Sequence, residues 1–198
     1  MKKPLWIWII SLGLLAYSCP PGPALAQSPT AYVRGILDQV MSLQNDPGQS
    51  TQARSQAIHR IIERNFDFPL MAKDSLGQTY ERLSGGQRQE FTQTFSYLFQ
   101  DSYTRLVINF LKKENIQYGR ELPEGDKARV DTAIVRTNEK IPVSYLMHTA
   151  PQGWILYDVI VDGVSILQNY KTKFAQVIRT NSFEFLLKKM QDQRRAIQ

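Results

Sequence analysis

The sequence predicts an α+β fold with helices packed on one face of a curved, four-stranded antiparallel sheet. Three observations carry that expectation. Apolar residues recur at helical spacing through the first half of the chain, the spacing becomes strand-like between Ile116 and Asp162, and helical spacing returns after Gly163.

Each element can be justified in order. Val33, Ile36, Leu37, Val40 and Leu43 define a first helix, closed by Asp46-Pro47-Gly48. Ala57, Ile58, Ile61 and Ile62 define a second. The stretch "FDFPLMAKDSLGQTY" from Phe66 to Tyr80 has Pro69 suited to a helical first turn, Asp67 as a candidate cap and Gly77 at a helix end. Residues 83–89 read "LSGGQRQ", a string that also occurs in the signature loop of ATP-binding-cassette ATPases. No G-x-x-x-x-G-K-[ST] loop exists anywhere in the chain to hold the phosphates, which excludes the nucleotide reading. Ser84 and Gln87 instead have the spacing of a capping box opening a long helix that runs to about Lys113.

Turn signals at Leu122 to Asp126, Thr137 to Lys140 and Ala150 to Gly153 divide the middle region into four strands of a meander. Ile141, Val143, Tyr145 and Met147 fall on one face of the third strand, whereas "WILY" from Trp154 is apolar on both. Helical spacing resumes at Ile166, Leu167, Tyr170, Phe174, Val177 and Ile178, then at Phe183, Leu186, Leu187 and Met190.

The N-terminus is read as a processing segment. Lys2 and Lys3 precede an apolar run from Leu5 to Ala16, and Ala24-Leu25-Ala26 supplies small residues for cleavage, so residues 1–26 are expected to be a secretory signal peptide. Removing them leaves 172 of the 198 residues, 27–198, the size of one domain. Cys19, the one cysteine, falls in the removed segment; it is the alternative candidate for a lipid-anchor cysteine, although Tyr17 is bulky where small residues are usual. The net charge of +6 falls to +4 without Lys2 and Lys3, and no dense basic block argues for nucleic acid.

Catalytic and metal chemistry find little support. His59 and His148 lie far apart in sequence, without the close spacing of metal ligands, and no G-x-S-x-G elbow is present. Asp158, inside "WILYDVIVDG", is the best candidate for a general base; the alternative is a carboxylate that accepts hydrogen bonds from neighbouring turns, and Asp162 reads as a helix cap. The long helix carries two adjoining apolar stripes, one through Phe91, Phe95, Leu98, Phe99 and Leu106, the other through Tyr103, Val107, Phe110 and Leu111. So broad a face either fills a thick core or lines a cavity. Lys171, Lys173, Lys188, Lys189, Arg194 and Arg195 are candidate docking charges or a solvated face.

Four segments, "FDFPLMAKDSLGQTY", "GGQRQEFTQTFSYLFQDSY", "IPVSYLM" and "GWILYDVIVDGVSILQNYKTKF", together resemble the MlaC or toluene-tolerance family over about residues 30 to 190. Asp162 stands where many members have Glu, and Tyr80 where Trp is frequent. The resemblance implies a monomeric periplasmic lipid carrier without catalytic residues, metal or cofactor, its cargo a phospholipid whose acyl chains lie in an apolar pocket between sheet and helices. It implies an inner-membrane ABC lipid transporter with its substrate-receiving subunit and an outer-membrane lipoprotein–porin complex as partners, with a hopanoid-associated branch close by. Under it, the expected lining is Phe99, Tyr103, Leu106, Val107 and Phe110 of the long helix, Val143, Tyr145 and Met147 of the sheet, and Val164, Tyr170 and Phe174 beyond the Gly163 corner.

Overall fold

A computed structural model describes residues 27–111 and 114–196, so the expected signal peptide and Cys19 lie outside the described residues. Among the described residues five helices come first: α1 (Pro29–Asn45), α2 (Thr51–Asn65), α3 (Phe68–Leu76), α4 (Gln78–Arg82) and α5 (Gly85–Phe110). Strands β1 (Asn115–Glu124), β2 (Lys127–Val135), β3 (Lys140–Ala150), β4 (Gly153–Val161) and β5 (Val164–Ser165) follow, then α6 (Ile166–Thr180) and α7 (Phe183–Arg195).

The helix starts are built from side chains that accept otherwise orphaned backbone donors. Ser28, Ser50, Asp67, Ser165 and Ser182 each accept from a backbone N–H in the first turn. "LSGGQRQ" is a helix start with the full reciprocal box: Ser84 Oγ accepts from Gln87 N–H and Gln87 Oε1 accepts from Ser84 N–H. Replacing Ser84 by Ala should cost about 1 kcal/mol of stability, read as a lowered urea midpoint with unchanged slope. The helix ends at Phe110, short of the expected Lys113.

The sheet is an antiparallel meander in the order β1-β2-β3-β4-β5. It has five strands, not the four expected. The difference is one tight turn: Asp162 and Gly163 both have positive φ, 49° and 79°, which suits a two-residue hairpin and brings Val164 back to pair with Val161. Asp162 is thus a turn residue, and the cap of α6 is Ser165. The first hairpin is also tighter than read, since Leu122 and Pro123 still pair within edge strand β1 and only Gly125-Asp126 turn.

One continuous core joins the helices to the inner face of the sheet. Its axis is an aromatic row on α5 at four-residue spacing, Phe91, Phe95, Phe99 and Tyr103, which places the rings on one helix face. Phe174 and Tyr170 of α6, Phe183 of α7, and Phe66 and Phe68 around the start of α3 pack onto that row with centroids 5.3–6.2 Å apart. From the sheet, Val130, Val143, Tyr145, Met147, Leu156 and Val159 are buried against them. A polar clamp fixes α3 to the sheet: Asp67 N–H donates to Leu156 O at 2.8 Å, and Asp67 Oδ2 lies 2.9 Å from His148 Nε2. His59 pairs with Asp101 at 3.4 Å.

Candidate ligand-binding site

The amphipathic faces of α6 and α7 fold back along α5 and leave a cleft of about 760 Å³ between the three helices. Its size falls in the ~300–1,000 Å³ range of small-molecule sites. The floor is apolar: Leu98, Phe99, Tyr103 and Leu106 come from α5, Ile166, Tyr170, Phe174 and Val177 from α6, and Phe185, Leu186 and Met190 from α7. Asn169, Lys173, Gln176, Lys189 and Gln193 supply polar ends. Lys173 and Lys189 are exposed, so their stems can lie on the floor while their ammonium groups stay in water.

Between α5 and the sheet there is much less room than the sequence analysis expects. Two voids of about 40 and 30 Å³ occupy that layer, each of the size of one water molecule. The first is bordered by Tyr103, Leu106, Val107, Phe110, Leu111, Ile134, Val143, Tyr145 and Val161. The second lies toward α1 and α2 and shares Tyr103, Val107, Leu111 and Tyr145 with the first. Rings that could have lined a larger chamber fill it instead: Phe66, Phe99 and Tyr103 meet with centroids 5.3–5.5 Å apart.

The eleven expected lining residues therefore separate. Phe99, Tyr103, Leu106, Tyr170 and Phe174 border the inter-helix cleft. Val107, Phe110, Val143 and Tyr145 border the first void, together with Tyr103 and Leu106. Met147 borders none of the three spaces and is fully buried in the core. Val164, placed by the sequence among the lining, also borders none of them and is 60 % exposed on β5. Its pairing still orients it. Directly opposed residues of an antiparallel pair point to the same face, and Val161 faces the first void, so Val164 lies on the helix-facing side at the open edge of the sheet. Sequence reading missed Leu98, Ile166, Val177, Phe185, Leu186 and Met190 as cleft residues. Except for Phe185, their helical spacing is visible in the sequence, but not the direction in which α6 and α7 face.

Burial controls the ionisation of the site's phenols. It raises the Tyr103 hydroxyl pKa well above the usual tyrosine range, with the nearby Asp158 charge adding to the rise. Burial does the same to Tyr145, and more weakly to Tyr170, where a hydrogen bond with Ser102 works in the opposite direction. All three rings present neutral surfaces to a ligand.

Asp158, the candidate base, is 5 % exposed and occupied by structural partners. Its Oδ1 accepts from Val159 N–H at 2.8 Å and Leu167 N–H at 3.0 Å, and its Oδ2 accepts from Ser165 Oγ at 2.5 Å. The carboxylate anchors the first turn of α6, satisfying a helix donor that Ser165 does not reach. Asp158→Ala should lower stability by about 3 kcal/mol, since buried donors lose their acceptor. Chemical denaturation checks this; a loss under about 0.5 kcal/mol would show that water replaces the carboxylate. Among the described residues no group of three His, Cys, Asp or Glu side chains is placed to hold a metal, and no helix is long and apolar enough to cross a membrane.

Fold and site together define a pocketed α+β binding domain, with an apolar floor built by three helices and an open, lysine-bearing rim. The chain belongs to the MlaC protein family, whose model matches residues 32–192. It is 23 % identical to the intermembrane phospholipid transport system binding protein MlaC of Haemophilus influenzae, over 96 % of this chain and 92 % of that one. It is 22 % identical to the toluene tolerance protein Ttg2D of Pseudomonas putida, over 88 % of this chain and 85 % of the relative. The fold matches that of a phospholipid-binding protein from Ralstonia solanacearum, solved in complex with a phospholipid, with a TM-score of 0.72 at 21 % identity over 86 % of this chain and 98 % of the other.

Proposed function

We propose that this protein is a periplasmic phospholipid carrier, exported by a cleaved signal peptide, which covers acyl chains during aqueous transit between the two membranes. The observation that carries the reading is the apolar cleft between α5, α6 and α7, with Lys173 and Lys189 at its rim, in a chain of the MlaC family. An apolar floor suits hydrocarbon tails, and two ammonium groups at the water boundary suit a phosphate head group. The phospholipid named for the Haemophilus influenzae relative and bound in the Ralstonia solanacearum structure supports the same cargo.

Each buried methylene is worth about 0.8 kcal/mol relative to water. A tail therefore does not leave the cleft for water, yet it exchanges with a bilayer at little net cost because the bilayer offers equal burial. Such a carrier needs no catalytic group. Energy would come from an inner-membrane ABC transporter receiving the lipid, with an outer-membrane lipoprotein–porin complex at the other end, the arrangement that maintains outer-membrane lipid asymmetry. Val107, Phe110, Val143, Tyr145 and Val164 extend the proposed contact surface from the cleft toward the sheet edge. Native mass spectrometry of the purified mature protein, followed by lipid extraction, tests the reading. A stoichiometric adduct with the mass of a diacyl phospholipid is expected. A hopanoid adduct would replace the cargo, and a bare chain that takes up nothing from vesicles would end the carrier reading.

A further inference from the structure

Three apolar spaces meet at one side chain. Tyr103 borders the inter-helix cleft, the void against β3 and β4, and the void against α1 and α2. Leu106 touches two of these spaces; the ring of Tyr103 is common to all three. It is held in place by a near-parallel contact with Phe99, centroids 5.5 Å apart, and an edge contact with Phe66 at 5.4 Å. On the cleft side it is half-buried, so a ligand in the cleft reaches it directly. The spaces behind it are almost wholly apolar in their lining and too small for a chain segment, and the one against the sheet opens outward beside Phe110.

We propose that the ring of Tyr103 is the partition that sets how deep an acyl chain can enter, and so fixes the chain length this protein accepts. The inference rests on the phospholipid-carrier reading. With the ring in place, the tail in the cleft ends against Tyr103, and lipid reaches the sheet edge at Val164 only around the outside of the ring, past exposed Phe110. With the ring removed, cleft and voids become one channel running from the α6–α7 side to the inner face of the sheet. Only bulk is involved: a neutral phenol buried among Phe66, Phe99 and Tyr145 acts by filling space, and its hydroxyl is not needed for the effect.

The test loads the mature protein from vesicles holding equal amounts of dimyristoyl, dipalmitoyl and distearoyl phosphatidylglycerol and reads bound species by native mass spectrometry. Wild-type protein should favour the shorter chains. Tyr103→Ala should raise distearoyl over dipalmitoyl occupancy roughly tenfold, the value of the two further methylenes of the single tail in the cleft that no longer stay outside. Tyr103→Leu serves if circular dichroism shows the Ala variant unfolded. Tyr103→Phe, which keeps the ring, should restore the wild-type preference. Tyr97→Leu removes a ring of the same helix that borders neither the cleft nor either small space and should not move the distribution toward distearoyl lipid. An unchanged profile in both Tyr103→Ala and Tyr103→Leu overturns the partition, as does an equal shift in Tyr97→Leu. Wild-type protein that binds none of the three lipids overturns the carrier reading itself.

Discussion

Val164→Glu is expected to strip the protein of lipid while leaving its fold intact. Val164 is 60 % exposed, so in the unliganded chain a carboxylate there stays in water, and surface substitutions of that kind change stability by only about ±0.5 kcal/mol. A negative charge just before α6 is also compatible with the helix N-terminus. Bound lipid changes the balance. Val164 shares a face with Val161, whose side chain borders the void beside Tyr103, so a tail reaching the sheet edge would cover the new carboxylate. Stripping a charged group of water without a partner costs several kcal/mol, and each ~1.4 kcal/mol is tenfold in affinity. Lipid per protein after purification should fall below about a tenth of the wild-type value, with the thermal midpoint unchanged. Full occupancy in this variant would remove the β5 edge from the binding surface and confine the cargo to the inter-helix cleft.

Phe95→Ala should do the opposite, unfolding the protein before it affects binding. Phe95 is completely buried and borders none of the three spaces, yet it lies in the middle of the aromatic row, with centroids 6.1 Å from Phe91 and Phe99, 5.5 Å from Tyr170 and 6.2 Å from Phe174. Removing such a ring costs about 3–5 kcal/mol through lost transfer energy and the cavity left behind. Against a typical total of about 5–15 kcal/mol, that is a large share. Urea denaturation should show a much lower midpoint, and lipid per folded molecule should stay near wild type. A loss below about 1 kcal/mol would mean that α6 and α7 collapse onto the gap, so the helices framing the cleft would be mobile relative to α5. The two variants separate binding from stability because one site is at the solvent edge and the other is in the packed axis.

Much of the scaffold is legible in the sequence because its causes are local. The capping box at Ser84 and Gln87, the cap at Asp67, and the Phe91, Phe95, Phe99 stripe follow from spacing over three or four residues, whereas Tyr103, on the adjoining stripe by sequence, joins that row only through its ring contact with Phe99. The meander follows from short turns, but the two residues of β5 are too few to show alternation, and Asp162-Gly163 before an apolar helical pattern has the composition of a helix approach as much as of a hairpin. The candidate site is less legible. Lys173 and Val177 share a helix with Phe174, and no local rule says which of them faces α5.

The sequence by itself determined the order of the main elements, the capped helix starts, and the breadth of the apolar face on α5, since backbone propensity, capping and periodicity act within a few residues. Only the tertiary structure decided what that face meets. Packing assigned Phe95 to the core, Tyr103 to the junction of three spaces, Val164 to the exposed sheet edge, and the 760 Å³ cleft to the helix layer, leaving only small spaces against the sheet. Apolar burial has no direction of its own, so a stripe of side chains specifies that it will be covered, and the contacts between distant segments specify by what.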